Sequence, residues 1–160
     1  MALSGCGYHV SGQASRLPKS VHTIAVPAFE NRTETYRIEQ ILTEATVREF
    51  ITRTKYRVVS QTDEDTDAVL KGIVLSSSVA PITFDSTTGR ASSALVIVYM
   101  SVTLVDRNGK VLYQNPGYLF REQYQISREL SSFFQEESPA LDRMSRDFAR
   151  TLVSNVLEAF

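Results

Sequence analysis

This sequence of 160 residues is poor in the groups that usually carry chemistry: it has one cysteine and two histidines, and its longest uninterrupted apolar run is Ala94 to Met100. Each scarcity excludes something. A lone cysteine cannot form an internal disulfide. The apolar run falls far short of the ~20 residues that a membrane-crossing helix needs. His9 and His22 stand apart from any nucleophile motif, and the patterns G-x-S-x-G, H-E-x-x-H and C-x-x-C are all missing. Gly109-Lys110 lacks the upstream glycine of a phosphate-binding loop. A formal net charge of −1 and a pI near 6.1 give no basic field to attract nucleic acid. No repeat or low-complexity tract is present, and nothing favours an enzyme, a cofactor or a metal site.

What is present is a well-patterned globular sequence. Ile24-Ala25-Val26-Pro27-Ala28-Phe29 alternates large and small residues as a half-buried strand does. Pro27 confines it to an edge or a strand end, because proline donates no ladder hydrogen bond. Asn31 followed by Glu34 fits a capping box, and from about Glu34 to Thr54 there is neither glycine nor proline, which predicts a helix. Ile38, Ile41, Leu42 and Ala45 share one side of it while Val47, Phe50 and Ile51 fall on another, so the helix is expected to touch more than one surface.

Further along, Tyr56 to Ser60 reads as a short extended return that could add an edge strand, and Gln61 to Asp67 as a charged loop. Asp63, Asp65 and Asp67 have the spacing that opens a calcium loop, but Ala68 and Val74 stand where that loop needs glycine and glutamate. Strands are expected at Ala68 to Val79, at Ala94 to Val105 and at Val111 to Tyr124, the last broken by a bulge at Pro116-Gly117. Pro81 to Ser93 reads as a long hairpin connection, and Asn108-Gly109 as a tight one in which both residues tolerate positive φ. Ser138-Pro139 suggests an N-cap and first helical residue, and Leu141, Met144, Phe148, Leu152 and Val156 form a stripe for packing on a sheet. The predicted fold is α+β, a two-layer sandwich of order β-α-β-β-β-α. It places two helices on one face of a mixed or antiparallel four-stranded sheet, built by a single domain over residues 21–160.

Residues 1–20 read differently. Gly7 to Ser20 is a serine- and glycine-containing linker, and Leu3-Ser4-Gly5-Cys6 has the small residues before cysteine that a bacterial lipoprotein signal peptidase accepts. The residues alone leave two readings open, an acylated cysteine or an ordinary one near a terminus. A signal peptide would need a basic then apolar segment ahead of the site. Met1-Ala2 leaves no room for it, so a truncated reading frame or an engineered fragment is expected.

The run Ile24 to Thr33, followed by Glu39, Leu42, Thr43 and Phe50, resembles the LptE-type lipopolysaccharide-assembly lipoproteins of Gram-negative outer membranes. The likeness extends to Leu3 to Tyr8, to Asp67-Ala68-Val69-Leu70-Lys71-Gly72 and to the final amphipathic helix. It implies a protein anchored through an acylated (palmitate-bearing) Cys6 at the periplasmic face of the outer membrane. Such a protein plugs and helps assemble an LptD-type β-barrel and contacts lipopolysaccharide in transit, without catalysis. The strand-helix opening also looks like TolB-like and CsgG-like periplasmic lipoprotein domains, which leaves an activator or assembly subunit as the alternative.

Lipopolysaccharide carries phosphates beside acyl chains, so its recognition calls for cations near an apolar strand surface. Arg90, Arg107 and Lys110 in the hairpin connections, with Lys71 on a strand, are the candidates by position, and each also reads as an ordinary solvated cation. Phe133-Phe134, in what reads as a polar loop, are candidates for anchoring the partner protein.

Overall fold

The computed structural model describes residues 17–126 and 130–159. Its elements run β1 (Thr23–Ala25), β2 (Glu30–Asn31), α1 (Ile38–Arg53), β3 (Arg57–Val59), β4 (Ala68–Phe84), β5 (Ala91–Asp106), β6 (Val111–Gln125) and α2 (Leu130–Glu158). One mixed sheet has the order β3-β1-β4-β5-β6, with β2 also against β4. β1 is parallel to β3 and β4, while β4, β5 and β6 form an antiparallel meander. The α+β class, the mixed sheet and the edge strand after Tyr56 are as the sequence predicts.

The sheet has six strands rather than four. The strand predicted from Ile24 to Phe29 is interrupted: Ile24 pairs with Ala68 but Glu30 with Ile73, so this side carries an extra residue. The interruption surrounds Pro27, which has no N–H to keep the ladder closed. Just before Pro27, Val26 N–H reaches the Val59 carbonyl at 2.8 Å, extending the pairing with β3 by one residue.

α1 begins later than the capping box implied. Asn31 does not cap it; its amide oxygen accepts from Thr33 N–H at 2.9 Å, and its NH2 donates to the Thr35 carbonyl and Glu39 Oε2, each at 2.9 Å. These bonds fold residues 31–35 into a turn, and Arg37 then sits in the left-handed region (φ 59°), which no α-helix can include. α2, by contrast, begins before Ser138-Pro139 and contains Pro139 in its interior. The run Gln135-Glu136-Glu137 is helix-favouring and carries the helix back to Leu130 despite the bond that proline forfeits.

The hairpins also differ from expectation. β4 continues through Pro81 to Phe84, so the connection to β5 is short and closes with Asp85 N–H to the Arg90 carbonyl at 2.8 Å. In the next turn only Gly109 has positive φ (80°). Asp106 Oδ1 accepts from the N–H of Asn108 at 2.8 Å and of Lys110 at 2.9 Å, which stabilises a wider loop than the two-residue turn. The bulge at Pro116-Gly117 is present, as a register shift between Met100↔Tyr118 and Val102↔Asn115.

Both helices lie on one face of the sheet. Val96, Val98, Met100, Val102 and Leu104 of β5 are buried beneath them with Leu42, Phe50, Phe148 and Leu152. The α2 stripe read from the sequence is entirely buried. α1 is two-sided, but it divides differently from the pattern: Phe50 enters the core in line with Ile38, Leu42 and Thr46 at a four-residue spacing, whereas Val47 and Ile51 line an open groove of about 620 Å³ with Val26 and Ala28.

Candidate functional site

The sheet's long axis organises the surface. β5 spans 16 residues, about 50 Å at ~3.3 Å per residue. The β4–β5 and β5–β6 hairpins therefore stand at opposite ends, and the structure does not bring Arg90 together with Arg107 and Lys110. Lys71, paired with Thr103, joins the latter two at their end, ~10 Å along the strand from the Ala68↔Asp106 pair.

That end is also where the described chain enters the sheet. Asp67 Oδ2 accepts the N–H of His22 at 2.8 Å and of Thr23 at 3.0 Å, and Arg107 N–H donates to the Asp67 carbonyl at 2.9 Å. The Arg107 guanidinium is committed here as well, through Nη2 to Asp67 Oδ1 at 3.0 Å and to the Thr66 carbonyl at 3.3 Å. The two backbone donors, then the nearby Arg107 charge, hold the Asp67 carboxyl below the usual carboxylate range against the opposing effect of burial. Arg107 thus ties the β5–β6 hairpin to the start of β1, and only its exposed edge is available to a ligand. Of the four candidate cations, Lys71, Lys110 and Arg90 make no ion pair among the described residues.

The three aspartates with calcium-like spacing do different work. Asp63 Oδ1 receives Thr66 Oγ1 at 2.8 Å and Asp65 N–H at 3.1 Å, while Asp67 turns to β1. Among the described residues no group of three or more His, Cys, Asp and Glu side chains could hold a metal ion. The His22 ring is largely solvent-exposed, with Nδ1 3.9 Å from Asp67 Oδ2.

Cys6 lies outside the described residues. So do the side chains of Phe133 and Phe134, whose backbone belongs to α2 rather than to a loop. Tyr118 and Phe120 are core-side: Phe120 packs edge-on to Phe148 with centroids 5.0 Å apart. The Tyr118 hydroxyl bonds to that of Tyr113 and receives Asn155 Nδ2 at 2.9 Å. Burial, foremost, pushes the Tyr118 phenol well above its ordinary range.

Two surfaces have no sequence motif to announce them. Among the described residues no element covers the sheet face opposite the helices, which presents Lys71 between the half-buried Val69 and Ile73, together with Ile97, Tyr99 and Leu119. The second is the outer edge of β4 beyond Val74, where Leu75, Val79, Ile82 and Phe84 are exposed. Neither is legible in the sequence, because an alternating strand reads the same whether its second face or edge is covered or bare. Among the described residues no helix is long and apolar enough to cross a membrane.

These features define a class: a small two-layer α+β domain with two helices on one face of a mixed six-stranded sheet. Solved proteins of the same fold include lipoprotein B of Nitrosomonas europaea (TM-score 0.57, 16% identity, covering 94% of this chain and 90% of that one). The rare lipoprotein B of Shewanella oneidensis is similar too (TM-score 0.53, 14% identity, 82% and 90% covered). So is PelC of Paraburkholderia phytofirmans, a dodecamer (TM-score 0.56, 16% identity, 92% and 94% covered). The chain itself belongs to the LptE family, described as lipopolysaccharide-assembly, whose model matches residues 21–156. No curated protein matches it.

Proposed function

We propose that this protein is an outer-membrane lipoprotein, anchored through Cys6 at the periplasmic face, that occupies the lumen of an LptD-type β-barrel, helps it assemble and contacts lipopolysaccharide in transit. The observation that carries the reading is membership of the lipopolysaccharide-assembly family over residues 21–156. The shape supports it. A wide barrel leaves a lumen to be filled, and its apolar band is ~25 Å tall, so a body about 50 Å long seated lengthwise protrudes at one end.

An anchor at Cys6 favours the entry end as the protruding one. The stretch from Cys6 to Leu17 can span at most ~35–40 Å when fully extended, and it joins the body at the end that carries Lys71, Arg107 and Lys110. In this orientation those cations stand nearest the periplasmic leaflet and Arg90 reaches into the barrel. Lipopolysaccharide phosphates would meet first one end and then the other. Phe133 and Phe134 are proposed contacts with the barrel wall. No step requires a cofactor, and the protein acts by occupancy and transient binding.

The runner-up, an activator or assembly subunit of TolB-like or CsgG-like type, draws support from the dodecameric PelC sharing this fold. Purification of the acylated full chain from Gram-negative envelopes separates the two. A stoichiometric complex with a large outer-membrane barrel supports the plug, whereas a ring of identical copies without a barrel rejects it.

A further inference from the structure

β1 and β2 lie end to end along one edge of β4, pairing with Ala68–Val69 and then with Ile73–Val74. The last bond of this row runs from Arg32 N–H to the Val74 carbonyl at 3.0 Å. Beyond it β5 still holds the other edge of β4 as far as Phe84, but among the described residues nothing pairs with this one.

The groups left open can be identified. Ile126 N–H donates to the Ser92 carbonyl, so the even-numbered residues in this part of β5 turn their backbone toward β6 and the odd-numbered ones toward β4. The β4 partners of the odd ones, Ser76 (of Tyr99), Ser78 (of Ile97) and Ala80 (of Leu95), are therefore bound to β5. Ser77, Val79 and Pro81 face outward. Proline fits this assignment, since a missing N–H on the free side costs the ladder nothing. The open row is the N–H and C=O of Ser77 and Val79, then the C=O of Pro81.

The side chains along this edge point to an occupant. Leu75, Val79, Ile82 and Phe84 are 41%, 49%, 42% and 60% exposed, and no residue from Gly72 to Phe84 is charged. Free edges are ordinarily guarded by lysine or another charge; here only Pro81 and the register shifts interrupt the row. A strip from Ser76 to Phe84 is ~30 Å long and about as deep as one sheet layer, ~10 Å, roughly 300 Å² per side. A free-standing dimer needs ~800 Å² per partner. A second copy would not be held by this edge alone, whereas a segment of a protein already bound elsewhere needs no independent affinity.

We infer that an extended, uncharged segment of the barrel partner adds to the outer edge of β4 at Ser77–Pro81 and continues the row begun by β1 and β2. The inference rests on the plug reading above. Its test uses the full acylated chain co-purified with the barrel. Val79→Pro removes an outward N–H without touching the β5 ladder, and Val79→Ala keeps that N–H while trimming the side chain. The free chains of both variants should melt alike. The Pro variant should lose the barrel about ten-fold faster than the Ala variant on dilution, as expected for a strand bond that cannot form. A photo-crosslinking residue at Ser77 should give an adduct within an extended barrel segment. If the Pro and Ala variants release the barrel at equal rates, or the Ser77 adduct forms with a second copy or within the same chain, the inference is overturned while the plug reading survives. If wild-type chain brings down no barrel at all, both fall.

Discussion

The ring of Phe29 lies so close over Gly72 that a β-carbon on Gly72 would sit 2.7 Å from two of its ring atoms. This contact lets the chain between β1 and β2 cover the centre of β4, and it also seats Phe29 edge-on to Phe148 of α2, with centroids 6.4 Å apart. Gly72→Ala should therefore destabilise the protein by about 1–3 kcal/mol, the usual cost of overpacking a tight site. Chemical denaturation would measure it, and adding Phe29→Leu should recover part of the loss. If Gly72→Ala is neutral, the Phe29 ring is not fixed where it lies.

Asp67 gives a pH signature. Its carboxyl is held below the ordinary value of 3.8, so the charged form is favoured by folding. The stabilisation is complete above the unfolded-state value and is lost as pH falls through the lower folded one. Melting curves from neutral to strongly acidic pH should show Asp67→Ala less stable than wild type at neutral pH, with the gap closing once pH drops below about 3.8. A gap of constant size would mean that the backbone N–H groups of His22 and Thr23 do not depend on this charge.

The Tyr118 cluster should respond at the opposite end of the scale. A phenol whose pKa is raised contributes stability that is present below its unfolded value, 10.0, and lost as pH rises beyond it. Ultraviolet titration of wild type against Tyr118→Phe should show the Tyr118 phenol un-ionised until the protein unfolds. Tyr118→Phe, which strands Asn155 Nδ2 without its acceptor, should cost ~1–3 kcal/mol. The double variant with Asn155→Ala should cost less than the sum of the single changes.

The basic candidates should behave as two independent sets. By strand length Arg90 is about 40 Å from Lys71 and about 50 Å from Lys110, several times the ~10 Å screening length at moderate salt. Binding of lipopolysaccharide to the full chain should weaken several-fold with Lys71→Glu/Lys110→Glu and separately with Arg90→Glu, and the two losses should multiply. Arg107→Glu should lower the melting temperature as well, since it breaks the contact with Asp67. Strong non-additivity between the ends would reject separate contact points.

The turn at Gly109 is wider than the two-residue turn an Asn-Gly pair suggests. With Gly109 at φ 80° and Asn108 at negative φ, Gly109→Ala should cost about 1 kcal/mol. Asn108→Ala should cost little, because its side chain is not what permits the turn. Equal losses at the two positions would restore the tight turn that the Asn-Gly pair suggested.

Much of this architecture follows from local patterns. The period-2 alternation of Ala94 to Leu104 and the stripe of Leu141, Met144, Phe148, Leu152 and Val156 give a buried strand and a sheet-packing helix directly, since burial follows side-chain spacing. Lys71, Arg90 and Lys110 were visible as cations, but not which of them share an end. Three details failed for one reason, that local chemistry has more than one use: Asn31 bonds its own turn instead of a helix N-terminus, Pro139 sits inside α2, and Pro81 continues β4 along its free side. The Ser77–Pro81 edge could not be read at all.

The sequence by itself determined the two-layer α+β class, the buried faces of β5 and α2, and the family, because these depend on residue spacing that survives in one dimension. Only the tertiary structure decided that β1 and β2 share one edge of β4, that Arg90 stands apart from the other cations, and that no described strand pairs with the outer side of Ser77 and Val79. The physical reason is that strand pairing is set by backbone hydrogen bonds, identical for every residue but proline. The order of strands, and therefore what remains unpaired, is fixed only when the whole core closes.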